Sequence, residues 1–342
     1  MGNRRGFFSI CAAVVACGLS GIAPAGAQSP KDITVVFPSP GGVGYYPFYV
    51  AMGEGYFEKE GLRVRPESVN GSGQVLQMLA AGQAQIGHPG PGPLLAARAS
   101  GLDMVFLYNN FAKSQFGLVV KEDSTFKTPD QLKGKKIGVG TADGAEVAFV
   151  RAILDDLKMK EGTDYEFLTV GDGGMATAAF MRGDIDAYAS GTRDAAILRL
   201  RGVPLREITP EKFLAYFGNG YVTSRDFINK DPEALKGFGR ALVKGSVFAA
   251  DPANKDKVLT HAKLGNPQEG EDKAFSGALF EAMKGRVTPA DLSNGWGYHH
   301  PEQWDLWQKA LVASGALKAP LPDLQKAYTN QFVKDWNTGI AQ

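Results

Sequence analysis

From residue 33 onward, short β-branched apolar runs alternate with stretches of helical spacing, the pattern of βαβ units and a mainly parallel sheet. Residues 33–37 read as a buried strand, stopped by Pro38 and the Gly-rich segment 40–44, and residues 46–53 as a short helix. Strands are predicted at 62–67, 85–87 and 104–108, with helices at 74–81 and 93–100; positions 75, 76, 79 and 80 put apolar side chains on one helical face. After a strand at 116–120 and a charged connector at 121–129 the same order restarts. It gives strands at 136–140, 165–170 and 187–189 and helices at 146–156, 175–182 and 195–201. Beyond residue 227 the spacing turns helical, over 232–250, 256–262, 270–283, 301–314 and 324–336.

This pattern predicts an α/β chain of two lobes, each a mainly parallel sheet flanked by helices, with a helical C-terminal region. Residues 28–118 and 223–342 are expected to form lobe 1, and residues 119–222 lobe 2. The hinge is expected at 116–120 and 220–223, where a few residues can absorb the dihedral change of closure.

The first 27 residues depart from this pattern. A basic start at Met1–Arg5, an apolar stretch over 6–22 and the small-x-small site Ala25-Gly26-Ala27 are the layout of a secretory signal peptide cleaved before Gln28. That layout predicts a periplasmic protein. Arg4-Arg5 resembles a twin-arginine export signal. Val14-Val15-Ala16-Cys17 resembles a lipoprotein box that would leave Cys17 lipidated, but the better-placed site at Ala25–Ala27 favours the soluble form. Cys11 and Cys17 are the only cysteines and both lie in the leader, so the mature chain has no disulfide, thiolate metal site or cysteine nucleophile. A formal charge of +1 carries no basic excess that would suit nucleic acid.

In parallel α/β sheets, ligands bind beyond the carboxyl ends of the strands, where loops run into helix N-termini. Here those loops are 39–46, 70–73, 88–92, 109–114, 141–145, 171–174 and 190–193. From them the candidate ligand contacts are Tyr45, Tyr46, Ser72, His88, Pro89, Thr141, Asp143, Gly144, Ala145 and Arg193. The tyrosines offer rings for stacking, although one of the pair can equally pack into the core of its lobe. Glycines let backbone N–H groups approach an acceptor, and helix N-termini favour negative charge. Arg193 is the cationic candidate for a carboxylate or sulfonate, with a solvated surface arginine as the alternative. Each loop taken alone reads equally as a capped βα turn; their shared sheet end makes the site.

No catalytic or metal-site motif is present. Gly138-x-Gly140-x-x-x-Gly144 is one residue too long for a dinucleotide fingerprint, and no phosphate loop, H-E-x-x-H, G-x-S-x-G or C-x-x-C occurs. His299-His300 leads into the helix at 301–314. Neither a cofactor nor catalysis is expected, an enzyme built on His88 with Asp143 or Asp172 being the weaker reading.

A succession of segments resembles a known family: Pro47–Phe57 with Glu60-Gly61-Leu62, Gly71-Ser72-Gly73-Gln74, residues 81–87, residues 129–139 and Gly183-Asp184-Ile185-Asp186-Ala187. In this order they are similar to the solute-binding proteins of ABC importers in the nitrate/sulfonate/taurine class, which includes binders of thiamine-pyrimidine precursors. The resemblance implies a type II-like periplasmic binding protein fold that closes on a small organic, anionic or aromatic molecule. It implies an inner-membrane ABC permease as partner and a monomer in solution, with a sensor module as the alternative role. The family also contains a pyrimidine-synthesising enzyme with a cysteine-rich motif, which this chain lacks.

Overall fold

The computed structural model describes Gly2 and residues 29–340. The leader, with Arg4, Arg5 and Cys17, lies outside the described residues. The first run of elements is β1 (Lys31–Phe37), α1 (Tyr46–Gly53), the single turn α2 (Tyr56–Lys59), β2 (Leu62–Ser68), α3 (Gly71–Ala80), β3 (Ile86–Gly87), α4 (Pro91–Ala99) and β4 (Met104–Tyr108). The second run is β5 (Phe116–Lys121), β6 (Lys135–Val139), α5 (Ala145–Asp156), β7 (Tyr165–Thr169), α6 (Gly174–Arg182), β8 (Ala187–Gly191), α7 (Thr192–Leu200) and β9 (Leu205–Glu207). After β10 (Tyr221–Ser224) come α8 (Arg225–Lys230), α9 (Pro232–Ala250), α10 (Lys255–Ala262), α11 (Lys273–Val287), α12 (Pro301–Ala313) and α13 (Val333–Trp336).

Two five-stranded sheets result, ordered β2-β1-β3-β10-β4 and β7-β6-β8-β5-β9. Each has a parallel trio, β1 between β2 and β3 in one and β6 between β7 and β8 in the other. Each also holds one antiparallel strand reached from the opposite lobe, β10 in the first sheet and β5 in the second. The two-lobed α/β architecture is therefore as the alternation of elements indicates. The chain crosses between sheets at 109–115 and 208–220. β5 belongs wholly to the second sheet, so the first crossing precedes the stretch 116–120 expected to carry the hinge.

The C-terminal helices pack mainly on the first lobe. Helix α9 lies against α1, and Gly245 lets its backbone approach the carbonyl of Pro47 so closely that a Cβ there would overlap that oxygen. Helix α12 instead touches α4 of one lobe and α5 of the other, with Trp304 and Trp307 fully buried. The Trp307 indole donates to the Phe217 carbonyl in the second crossing at 3.1 Å. One apolar core consequently runs from Val36 and Leu94 through Trp307 to Phe149 and Ile153, joining the lobes behind the cleft.

The continuous helix expected over 324–336 does not form. Its middle is extended along the edge of β4, where Phe106 donates to Ala327 at 2.8 Å and accepts from Thr329 at 3.0 Å. An edge strand carries unpaired backbone groups, and satisfying those of β4 outweighs local helical spacing. The short strand β9 was not read from the sequence, because three residues give too little alternation to detect.

Gly245→Ala should overpack the α1–α9 seam and destabilise the protein by about 1–3 kcal/mol. Chemical denaturation of the two proteins at equal pH measures the difference.

Candidate functional site

The loops that leave β1, β2, β6, β7 and β8 at their carboxyl ends meet in a cavity of about 100 Å³ between the lobes. Ser39, Tyr45 and Ser72 line it from the first lobe, and Thr141, Gly144, Ala145, Glu146, Asp172, Tyr188, Arg193 and Asp194 from the second. Phe111, Gln115 and Asn219 come from the crossing segments, and Met283 from α11.

Local chemistry fixes several of these groups. The Tyr45 ring packs at 4.4 Å between centroids on Phe37, and its hydroxyl shares a 3.2 Å hydrogen bond with Ser39 Oγ. Burial pushes the Tyr45 phenol up to about 12, so it stays neutral. Ser72 Oγ accepts from the Gly90 amide at 3.2 Å, which ties the start of α3 to the start of α4. Gly71 has φ +83°, a conformation that glycine adopts without strain, and opens α3 beside Thr141 and Asp143 of the opposite lobe.

Three carboxylates stand at the N-terminal ends of the second lobe's helices. Glu146 and Asp194 fall in the first turns of α5 and α7, and Asp172 stands just ahead of α6. The Thr141 amide reaches Glu146 Oε1 at 3.4 Å, and the Tyr188 hydroxyl donates to Asp172 Oδ1 at 3.3 Å. Burial, and after it the charge of Asp172, raises the Glu146 carboxyl to about 8 and the Asp194 carboxyl to about 7. Glu146 keeps part of its surface, but the protein packed around its carboxyl still resists the charged form. Both groups are carboxylic acids for part of the time near neutrality.

Arg193 is the only Lys, Arg or His on the cavity wall among the described residues. Its Nε lies 2.5 Å from Glu269 Oε1, and its Nη1 3.6 Å from Asp194 Oδ1. Burial opposes its charge, yet Glu269 and Asp194 more than offset that and raise its pKa. Glu269 Oε2 in turn accepts from the amides of Gly42 and Val43, both at 2.8 Å. Arg193 is thus an interlobe tie, linking α7 to the loop after β1 and to the segment before α11.

Of the residues singled out in the sequence, Tyr45, Ser72, Thr141, Gly144, Ala145 and Arg193 come together on the wall. Tyr46 does not. Its ring is buried edge-on to Phe280 at 5.0 Å, because Tyr46 opens α1 on the core side. His88 is fully buried behind the wall among Phe37, Tyr45, Phe111 and Tyr221, where desolvation lowers its pKa to about 3. Pro89 is buried beside it, its carbonyl accepting from the Gly220 amide at 3.3 Å. Asp143 is exposed and lies over Gly71 and Gly73 outside the cavity. The reading of the cleft loops missed Gln115, Glu146 and Asp194, which sit one residue past those loops, and Asn219, which lies in the second crossing segment.

The raised carboxyls make stability depend on pH. Each has a folded pKa above the ordinary carboxylate range, so its contribution is full below about pH 4 and is lost as pH rises through about 7 and 8. Buried neutral His88 and His299, both lowered to about 3, act oppositely, but only below the ordinary imidazole value of 6.5. Between pH 6.5 and 8.5 the ligand-free Tm should therefore fall, and Glu146→Gln should flatten that fall. Thermal scans across this window test the sign.

Comparisons with known proteins agree with this architecture. The chain is 26% identical to the riboflavin-binding protein RibY of Chloroflexus aurantiacus, over 91% of this chain and 90% of that protein. It is 29% identical to a 4-amino-5-hydroxymethyl-2-methylpyrimidine phosphate synthase of Aspergillus parasiticus, over 84% of this chain and 83% of the other. The solved structure of the periplasmic nitrate-binding protein NrtA from Synechocystis PCC 6803 superposes with a TM-score of 0.71 at 14% identity, covering 91% of this chain and 89% of that one. The profile described as NMT1/THI5 like matches residues 44–255. Sharing that profile over more than half its length, the chain belongs to the NMT1/THI5-like family.

Proposed function

We propose that the protein is the extracytoplasmic solute-binding subunit of an ABC importer, capturing a small organic molecule between its closing lobes. The observation that carries this reading is the cavity itself, walled by loops from the carboxyl ends of both sheets and by the segments that cross between them. RibY and NrtA, by their names, bind solutes on related chains or the same fold. The signal-peptide layout of the first 27 residues supports a periplasmic location, and delivery to an inner-membrane permease by a monomer follows from the same reading.

Other relatives are named as synthases, so capture has to be argued against turnover. No cysteine follows Cys17, and His88 is enclosed by aromatic rings behind the wall. Asp172 is bound by Tyr188, and Arg193 by Glu269. These groups are held in place by one another, with no activated nucleophile beside a general base. The arrangement suits binding.

Among the places where the two lobes approach closely is the contact of α4 with α5. A Cβ on Gly90, at the start of α4, would overlap that of Ala145 at the start of α5. Gly90 has φ −83° and ψ 161°, which any residue adopts, so a side chain there obstructs docking without straining the backbone.

Mass spectrometry of protein purified from its source should find one small molecule retained per chain. Returning that molecule to stripped protein should raise Tm and make the solution scattering more compact. Gly90→Leu should keep the wild-type circular dichroism and lose that compaction, with affinity weakened about tenfold or more, since the competent closed state is then rarely populated. Chemical conversion of the retained molecule by the purified protein would overturn the reading.

A further inference from the structure

We infer that the ligand is a small organic cation, presenting a nitrogen that bears N–H groups to Glu146, Asp172, Asp194 and Asn219. The inference rests on the capture reading above and names the ligand class of the same cavity.

Charge is the first ground. Three carboxyl side chains line the cavity against one guanidinium, and that guanidinium is held by Glu269 and Asp194. An anionic ligand would gain little from Arg193 and would face Glu146 and Asp172. The positive helix ends of the second lobe, which would otherwise favour an anion, already carry acidic residues of the chain itself. The expectation of an anionic ligand treated those ends as open, and they are not.

Hydrogen-bond supply is the second ground and is independent of the charges. Asn219 is only 3% exposed and belongs to the cavity wall, yet its Oδ1 has no hydrogen-bond partner. Its amide nitrogen is engaged by the His88 carbonyl at 3.2 Å, which fixes Oδ1 as the free acceptor. Asp194 Oδ1 likewise lacks a hydrogen-bond partner. Three of the wall's donors are committed elsewhere: Tyr188 to Gly171 and Asp172, Thr192 to the Gln115 carbonyl, and the Arg193 Nε to Glu269. A buried acceptor left unsatisfied is costly, and a ligand N–H supplies what it lacks.

Shape sets the rest of the ligand. Tyr45, Tyr188, Phe111, Phe116 and Met283 give the cavity apolar and aromatic walls. Ring faces attract a cation, and apolar walls accept a short carbon stem. A volume of about 100 Å³ suits a compact solute, well below the roughly 300–1,000 Å³ of pockets for drug-sized ligands.

The test is calorimetric titration of the stripped, full mature chain with putrescine, agmatine and benzamidine, and with taurine, ethanesulfonate, nitrate and benzoate. At least one cation should bind and the anions should not. Glu146→Gln and Asp172→Asn should each weaken cation binding by about tenfold or more, as loss of a charge-assisted hydrogen bond does. Circular dichroism checks that each variant is folded, and Asn219→Asp, which adds a carboxylate, should tighten the cation. Anion binding that survives Glu146→Gln would overturn the cationic assignment and leave capture standing. A neutral or acidic molecule found retained by the native protein would do the same. If neither the probes nor any retained molecule bound, both the ligand class and the capture reading would fall together.

Discussion

Parallel strands bring the positive ends of their following helices to one side of a sheet, and in this protein that field is answered from within. Glu146, Asp172 and Asp194 occupy the helix starts that face the cleft, and Glu269 reaches in from the other lobe. The electrostatics of the cavity depend on this arrangement. Carboxylates near helix N-termini are favoured by the dipole, but burial and mutual repulsion press the other way, and for Glu146 and Asp194 those terms prevail. The protein thereby holds acidic groups in reserve at a buried surface.

The same groups couple the cleft to the joint between the lobes. Glu269 gives one oxygen to Arg193 and the other to the amides of Gly42 and Val43, so one carboxylate binds α7 to the loop after β1. A buried ion pair of this sort fixes geometry more surely than it adds stability, because desolvation offsets much of the Coulomb gain. Behind the cleft the joint is apolar. Helix α12 touches both lobes, and its Trp307 is bonded to the second crossing segment. Polar ties in front and an apolar core behind suit the proposed capture: on opening, the front contacts would exchange with solvent while the rear kept the lobes in register.

Much of the fold was legible because its signals are repeated. The buried strand β4 is an uninterrupted apolar run and the buried part of β1 nearly so, the glycines after β1 and β6 mark βα turns, and the restart at Lys136 announces the second sheet. What failed was decided by distant partners. Residues 324–336 have helical spacing, but Ala327 and Thr329 are drawn out by the free edge of β4, whose Phe106 lies far back in the chain. Which sheet β5 and β10 would join was likewise set by pairing. Of two adjacent tyrosines, alternation could say only that one would turn inward; the course of α1 puts Tyr46 on Phe280 and leaves Tyr45 at the cavity.

The site was legible as a place, while the charge on its wall rests on side chains just beyond the loops. Glycine loops at the carboxyl ends of the strands located Tyr45, Ser72, Thr141, Gly144, Ala145 and Arg193 correctly on the wall. The sign was read from Arg193 and from helix N-termini taken as unoccupied. Yet Glu146 and Asp194 stand within two residues of those loops, in first helical turns where an acidic side chain normally serves its own helix. An acid in a helix's own first turn offsets the attraction which that start holds for a ligand anion. By that measure the second lobe's part of the wall offers acceptors, and Arg193, the one guanidinium on it among the described residues, is bound to Glu269. Helix polarity therefore marks the place where the two sheets' loops converge, while the side chains of the first turns set the charge that the wall presents.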